Sequence, residues 1–202
     1  MLEAGMSPDS IVTNDEGECS SPLVYAARIR DNEASIKMTR LLLLHKADVS
    51  KPQTGEALEW AIRSRNEELI SILLSNDMQL PPRPVEEAVY SRCSKHIVEM
   101  ILDAGADIEE KPLRGRARTV LGYIVEQKNR ELAQFLLSRG ANPDSLHSVD
   151  FDGPRLLPRD SIETYGVWAS LHEYQTTALG MAAFKGDIAM MQILLAARAT
   201  VN

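Results

Sequence analysis

Cysteine is scarce in this chain: 202 residues hold two, Cys19 and Cys93, far apart and without a Cys-x-x-Cys pairing. That excludes a disulfide framework and a zinc-site spacing, and predicts reduced thiols. Positive charge is also short. Twenty-two Lys and Arg stand against 29 Asp and Glu, a net charge of −7 with a pI near 5.2. A duplex-binding surface needs clustered Lys and Arg on one face, so nucleic acid is not an expected partner. Long apolar runs are missing as well. The longest pure leucine run is Leu41 to Leu44, and the start, Met1 to Asp9, lacks the basic and apolar stretches of a signal peptide. No membrane span is expected, and the expected location is cytosolic or nuclear. There is no Gly-rich phosphate loop and no Gly-x-Ser-x-Gly. His45, His96, His147 and His172 make neither a His-x-x-x-His nor a His-Glu-x-x-His spacing. No catalytic residue, cofactor or metal is therefore expected.

What the chain does have is a folded composition, 44% apolar and 25% charged, and an internal repeat. Three clear copies of one segment are Arg40 to Val49, Met100 to Ile108 and Phe135 to Pro143, the last reading Phe-Leu-Leu-Ser-Arg-Gly-Ala-Asn-Pro. Ile72 to Leu80 and Ile193 to Asn202 are weaker copies, and Leu2 to Pro8 is a scrap of a sixth. Upstream of each complete copy lies a short helical stretch: Ser21 to Ala27, Ala57 to Ile62, Pro84 to Val89, Thr119 to Val125 and Thr177 to Ala183. Leu41, Leu42 and their equivalents make an apolar stripe that one unit cannot cover alone, while pairs such as Ala26-Ala27 and Ala182-Ala183 allow close helix approach. Helices this short are marginal in isolation, so stability must come from stacking.

The pattern resembles the ankyrin repeat, whose units read Thr-Pro-Leu-His-x-Ala-Ala, a turn, then a second helix ending x-Leu-Leu-Leu-x-x-Gly-Ala-Asp, within about 33 residues. The resemblance implies an all-α solenoid of stacked helix-turn-helix units with finger loops. It gives a partial repeat and linker over 1–20 and repeats over 21–50, 54–80, 83–110, 119–144 and 177–202, with an insertion over 145–175. Gly105 and Gly140 fall just past a helix end, where a left-handed cap favours Gly; Lys46, Asp77 and Arg198 replace it in the other copies and are expected to weaken those caps. Ser21, Thr119 and Thr177 are expected N-caps, with Glu56 and Arg83 at the matching site of the two degenerate units.

Between the equivalent residues Leu43, Leu74, Leu102, Leu137 and Leu195 the steps are 31, 28, 35 and 58. The last holds a surplus of about 25 residues over the family period. That insertion carries Leu146, Phe151, Leu156, Leu157, Ile162, Tyr165, Trp168, Leu171 and Tyr174, too many large apolar groups for a solvated linker. It either folds back over neighbouring helices or joins a partner-binding surface. A smaller surplus around Ile29 to Ser35 reads as a polar surface loop. Neither end shows a capping repeat, which points to a piece of a longer array, a shortened product or a covered end.

Function follows from the repeat: a non-enzymatic module that binds a protein partner through its concave inner-helix face, finger loops and insertion. The residues before the small pairs, Tyr25, Trp60, Tyr123 and Met181, would form a stripe along that face, set against a pure packing role. Lys111, Arg114, Arg116 and Arg118 lie in one finger loop and suit an acidic partner, or are simply solvated. Tyr165 and Trp168 are the insertion's candidates. The alternatives are a spacer within a larger scaffold and, more remotely, an enzyme with a site in the insertion.

Overall fold

A hydroxyl or amide one position before a helix can satisfy an amide that the helix itself leaves open, and this chain uses the device repeatedly. The computed structural model describes residues 7–13, 19–51, 54–110, 119–149 and 174–201. Those residues form ten helices. They are α1 (Pro22–Arg28), α2 (Asn32–Leu44), α3 (Gly55–Arg63), α4 (Glu67–Leu74), α5 (Pro84–Tyr90), α6 (Lys95–Asp103), α7 (Val120–Glu126), α8 (Arg130–Ser138), α9 (Ala178–Phe184) and α10 (Ile188–Ala196). Two short antiparallel ribbons accompany them, β1 (Val12–Thr13) with β2 (Cys19–Ser20) and β3 (His147–Val149) with β4 (Tyr174–Thr176). The fold class is all-α.

Ser21, Thr119 and Thr177 cap as expected, accepting from the backbone N–H of Val24 at 3.4 Å, Gly122 at 3.1 Å and Gly180 at 3.2 Å. The second helices are capped by Asp31, Asn66, Ser94, Asn129 and Asp187. Each such cap is worth about 1 kcal/mol. Glu56 does not hold the expected cap site. Helix α3 starts at Gly55 behind Thr54, whose hydroxyl donates to the Val49 and Lys51 carbonyls instead. Arg83 does stand before α5, in a left-handed conformation with Pro84 following. After the second helices the backbone turns left-handed at Gly105 (φ 92°) and Gly140 (φ 96°), and equally at Lys46, Asp77 and Arg198 (φ 63°, 55° and 66°).

Of the polar stretch Ile29 to Ser35 only Ile29 to Asp31 are loop; Asn32 to Ser35 are helix. Helix α1 ends at Arg28, α2 begins at Asn32, and α2 reaches 13 residues. Its buried face is Ser35, Thr39 and Leu42, and the two small hydroxyl residues at helical spacing gave no apolar signal.

The chain divides into two compact units, 1–107 and 108–202. In the first, α1 packs on α2 and on α3, α3 on α4 and α5, α5 on α6, and the second helices α2, α4 and α6 follow one another in the same order. First helix lies on first helix and second on second, which is solenoid packing. Leu23, Leu58, Ile62, Leu69, Ile70, Leu73 and Ile101 fill its interior, each burial worth about 1.5–3 kcal/mol. In the second unit α7 pairs with α8 and α9 with α10, while α9 stacks on α7 and α10 on α8. Ile124, Leu136, Met181, Met190 and Leu194 form that core.

Carboxylates tie neighbouring turns together. Asp144 accepts from the Thr200 N–H at 2.8 Å, and Glu109 accepts from the Asn142 N–H at 2.7 Å and the Ser145 hydroxyl at 2.8 Å. Asp9 accepts from the Asp48 N–H at 2.8 Å. The stretch Gly-Met-Ser-Pro-Asp ending at Asp9 aligns with Gly-Ala-Asn-Pro-Asp ending at Asp144. In both, the side chain two residues earlier accepts from the aspartate N–H, Ser7 at 3.2 Å and Asn142 at 3.0 Å.

Candidate protein-binding surface

The position before the small pair falls on the solvent margin of α1, α3, α5 and α7, because the pair itself turns inward. In the first unit it carries Tyr25 on α1, Trp60 on α3 and Glu87 on α5, all half-buried. Three residues on, nearly one helical turn, stand Arg28, Arg63 and Tyr90, all exposed. The Arg28 guanidinium lies over the Trp60 ring at 4.9 Å and that of Arg63 at 5.6 Å. Arg63 also pairs with Glu59 on its own helix and donates from Nε to Glu87 on α5 at 2.8 Å. The Glu87 hydrogen bond raises the Arg63 pKa, outweighing the opposing effect of burial, so this cation stays charged at any working pH. Each cation–π contact at an exposed site is worth about 0.5–1 kcal/mol. Together the contacts hold the long side chains of Arg28 and Arg63 in place.

Tyr123 on α7 holds the equivalent, half-buried position in the second unit. Met181 on α9 does not extend the stripe: it is 1% exposed and fills the core, because a flexible thioether can fold into a gap that a ring cannot. Lys111, Arg114, Arg116, Arg118, Tyr165 and Trp168 lie outside the described residues. Arg28, Arg63, Glu87 and Tyr90 were not among the sequence-predicted residues; the recurrence of Arg three residues after Tyr25 and Trp60 marks Arg28 and Arg63, and Glu87 and Tyr90 are found by register alone.

The insertion leaves and returns through β3 and β4, whose register pairs His147 with Thr176, Ser148 with Gln175 and Val149 with Tyr174. His147 is completely buried against α7. A Cβ on Gly122 would lie 2.3 Å from its Cγ and Nδ1, so glycine is what lets the imidazole sit there. Gly180 makes the same room for the Thr176 hydroxyl.

Among the described residues no group of three or more His, Cys, Asp or Glu is placed to hold a metal ion. Cys93 donates to the Ile62 carbonyl at 3.4 Å, and burial pushes its thiol up to about 11, the opposite of an activated nucleophile. Asp187, at the start of α10, is held below the usual carboxylate range first by the Met190 N–H and further by Arg130, which reaches it from α8 at 2.9 Å. Its role is to join two successive helix pairs. No helix among the described residues is long and apolar enough to cross a membrane.

No family model and no curated protein matches the chain. Among solved structures it is similar to the crystal structure of the ankyrin repeat domain of Bcl-3, described as a unique member of the IkappaB protein family, with a TM-score of 0.66 and 20% identity. The match covers 98% of this chain and 77% of that one. At that identity the likeness speaks to the fold alone, and what it shows is a fold of ankyrin-type helix pairs.

Proposed function

We propose that this chain is a non-enzymatic binding module that recognises a protein partner through its first-helix surface, with the finger loops and the 145–175 insertion contributing. The observation that carries this reading is the row in the first unit in which the guanidiniums of Arg28 and Arg63 both lie over Trp60, in a row with Tyr25, Glu87 and Tyr90. Tryptophan, tyrosine and arginine supply most of the energy at protein interfaces, and here they are pre-arranged on a stacked, rigid support. The row mixes both signs of charge with aromatic faces, which suits a folded or extended protein surface better than a phosphate backbone. Tyr123 offers the same kind of contact in the second unit.

The test compares partner capture from native extract by the intact chain, by a Tyr25→Ala, Trp60→Ala, Tyr123→Ala variant, and by a control variant, Gln134→Ala, on the second-helix side. Circular dichroism and melting temperature establish that each is folded. The reading requires that a partner recovered with the intact chain and with the control be lost from the triple variant. Equal recovery from a folded triple variant refutes it.

A further inference from the structure

The turns from first to second helices line one edge of the repeats, and in the first unit that edge carries arginine each time. Three residues past the buried pairs Ala26-Ala27, Ala61-Ile62 and Ala88-Val89 stand Arg30, Arg65 and Arg92. All three are exposed, and among the described residues none of them makes an ion pair or a side-chain hydrogen bond. Arg65 and Arg92 hold a left-handed backbone, φ 56° and 55°, where the turn between α9 and α10 has Gly186. That conformation costs a residue other than glycine about 1–2 kcal/mol.

Neighbouring turns are tied to one another. The Ile62 carbonyl accepts the Arg65 N–H at 2.9 Å from its own turn and the Cys93 thiol at 3.4 Å from the next. Glu67 at the start of α4 lies 3.3 Å from the His96 ring at the start of α6, and Arg40 on α2 bonds Glu68 on α4 at 3.0 Å. Glu59 and Glu87 are taken by Arg63, and Glu33 by Lys37. The carboxylates near this edge thus have other cations, and Arg30, Arg65 and Arg92 remain as free positive charge on a chain of net charge −7. Packed helices stand about 8–10 Å apart, so the arginines recur at about that step. A peptide in the polyproline II form has about three residues per turn and rises about 3.1 Å per residue, so every third side chain falls on one side at a matching step.

We propose that an extended, acidic segment of a partner protein lies along this edge, with a carboxylate at about every third residue meeting Arg30, Arg65 and Arg92 in turn. A guanidinium pairs with a carboxylate through two parallel hydrogen bonds, which gives the contact direction as well as charge. A phosphate strand fits less well, because it is charged at every nucleotide and would also meet Glu67, Glu68 and Glu87. A peptide can place neutral residues there. The β1–β2 ribbon enters α1 through Ser21, at the end of that helix away from Arg30. This assignment rests on the protein-binding role proposed above and gives the partner its chemistry, through side chains other than Tyr25, Trp60 and Tyr123.

Fluorescence anisotropy on the full chain at low salt tests this with a labelled peptide of four Glu-Pro-Pro triplets. The controls are the same peptide with Gln for Glu, a peptide with its four glutamates in one block beside eight prolines, and a twelve-nucleotide oligothymidylate. The triplet peptide is expected to bind about fivefold or more tightly than each control, and to weaken as salt rises. Arg65→Gly with Arg92→Gly removes two cations and gives both left-handed turns the residue they favour. That variant is expected to melt no lower than the parent and to bind the triplet peptide about fivefold or more weakly. Arg65→Asn with Arg92→Asn, also suited to that backbone, repeats the test should the glycine variant melt lower. No binding of the triplet peptide, equal or tighter binding of any control, or full binding by a folded glycine or asparagine variant each overturns the proposal. So does capture from native extract of a partner that the glycine variant keeps and the Tyr25→Ala, Trp60→Ala, Tyr123→Ala variant loses, a result that leaves the binding role itself standing.

Discussion

Replacing Gly122 by alanine separates two effects of opposite sign. In a helix interior, glycine to alanine gains about 1 kcal/mol of stability from the stiffer backbone. At this position the new methyl would meet the His147 ring at 2.3 Å and its Cβ at 2.7 Å. The obstacle is a buried side chain near its own backbone, on a strand paired with β4, so it cannot swing away without moving the ribbon. Overpacking of that kind costs about 1–3 kcal/mol. Gly122→Ala is thus expected to destabilise by up to about 2 kcal/mol net. In a His147→Ala background the obstacle is gone, and the same substitution is expected to stabilise by about 1 kcal/mol. Urea unfolding of the four proteins in a double-mutant cycle reads the coupling, expected at about 1–3 kcal/mol. Gly180→Ala is a built-in comparison, because the atom it meets at 2.2 Å is the end of the Thr176 side chain, which can rotate. It is expected to cost less than Gly122→Ala. A Gly122→Ala protein more stable than the parent with His147 present would refute the packing of the ribbon on α7.

Asp187 links stability to acid: its folded pKa lies below the ordinary 3.8, so its contribution is complete above that value and is lost as pH falls through the lower folded one. Asp187→Asn is expected to flatten the acid limb of the stability curve below about pH 4, and an unchanged limb counts against the Met190 and Arg130 contacts. Lys46→Gly relieves left-handed strain of about 1–2 kcal/mol at the cost of about 0.5–1 kcal/mol of chain entropy, so a higher melting temperature is expected. Gly140→Ala, at φ 96°, is expected to lower it. The Cys93 thiol, pushed up to about 11, is expected to react slowly with iodoacetamide at pH 8 and quickly once unfolded. Equal rates in both states would show that burial does not protect it. Trp60→Met is expected to keep the fold, by circular dichroism, while losing the ring that Arg28 and Arg63 lie over and with it partner capture.

The repeats were legible because stacking demands the same residue types at the same spacing each time. Leu42, Leu73, Ile101, Leu136 and Leu194 occupy one position and all are buried. Ser21, Thr119 and Thr177 were legible as caps because an N-cap needs one oxygen at one place. What escaped were features whose cause lies far off in sequence. The buried Ser35 and Thr39 carry too little apolar surface to mark a helix face, so the start of α2 read as loop. The β3–β4 ribbon is three residues a side, and nothing local announces that Gly122 is small because His147, 25 positions on, needs its space.

Variation among repeats is where recognition has room, yet variation alone does not make a surface. The position before the small pair holds Tyr25, Trp60, Glu87, Tyr123 and Met181. Sequence treats the two tyrosines, the tryptophan and the methionine alike, as large residues in a row. Physical chemistry does not. A ring has two rotatable bonds and a fixed width, so where the gap between stacked helices is narrower than the ring its edge must stay in solvent. A thioether chain of the same reach has three rotatable bonds and bends into the gap, as Met181 does. Rigidity, more than size, therefore decides which of these side chains keeps a face at the surface. The two guanidiniums lie over Trp60, the widest ring, whose half-buried place leaves π surface within their reach.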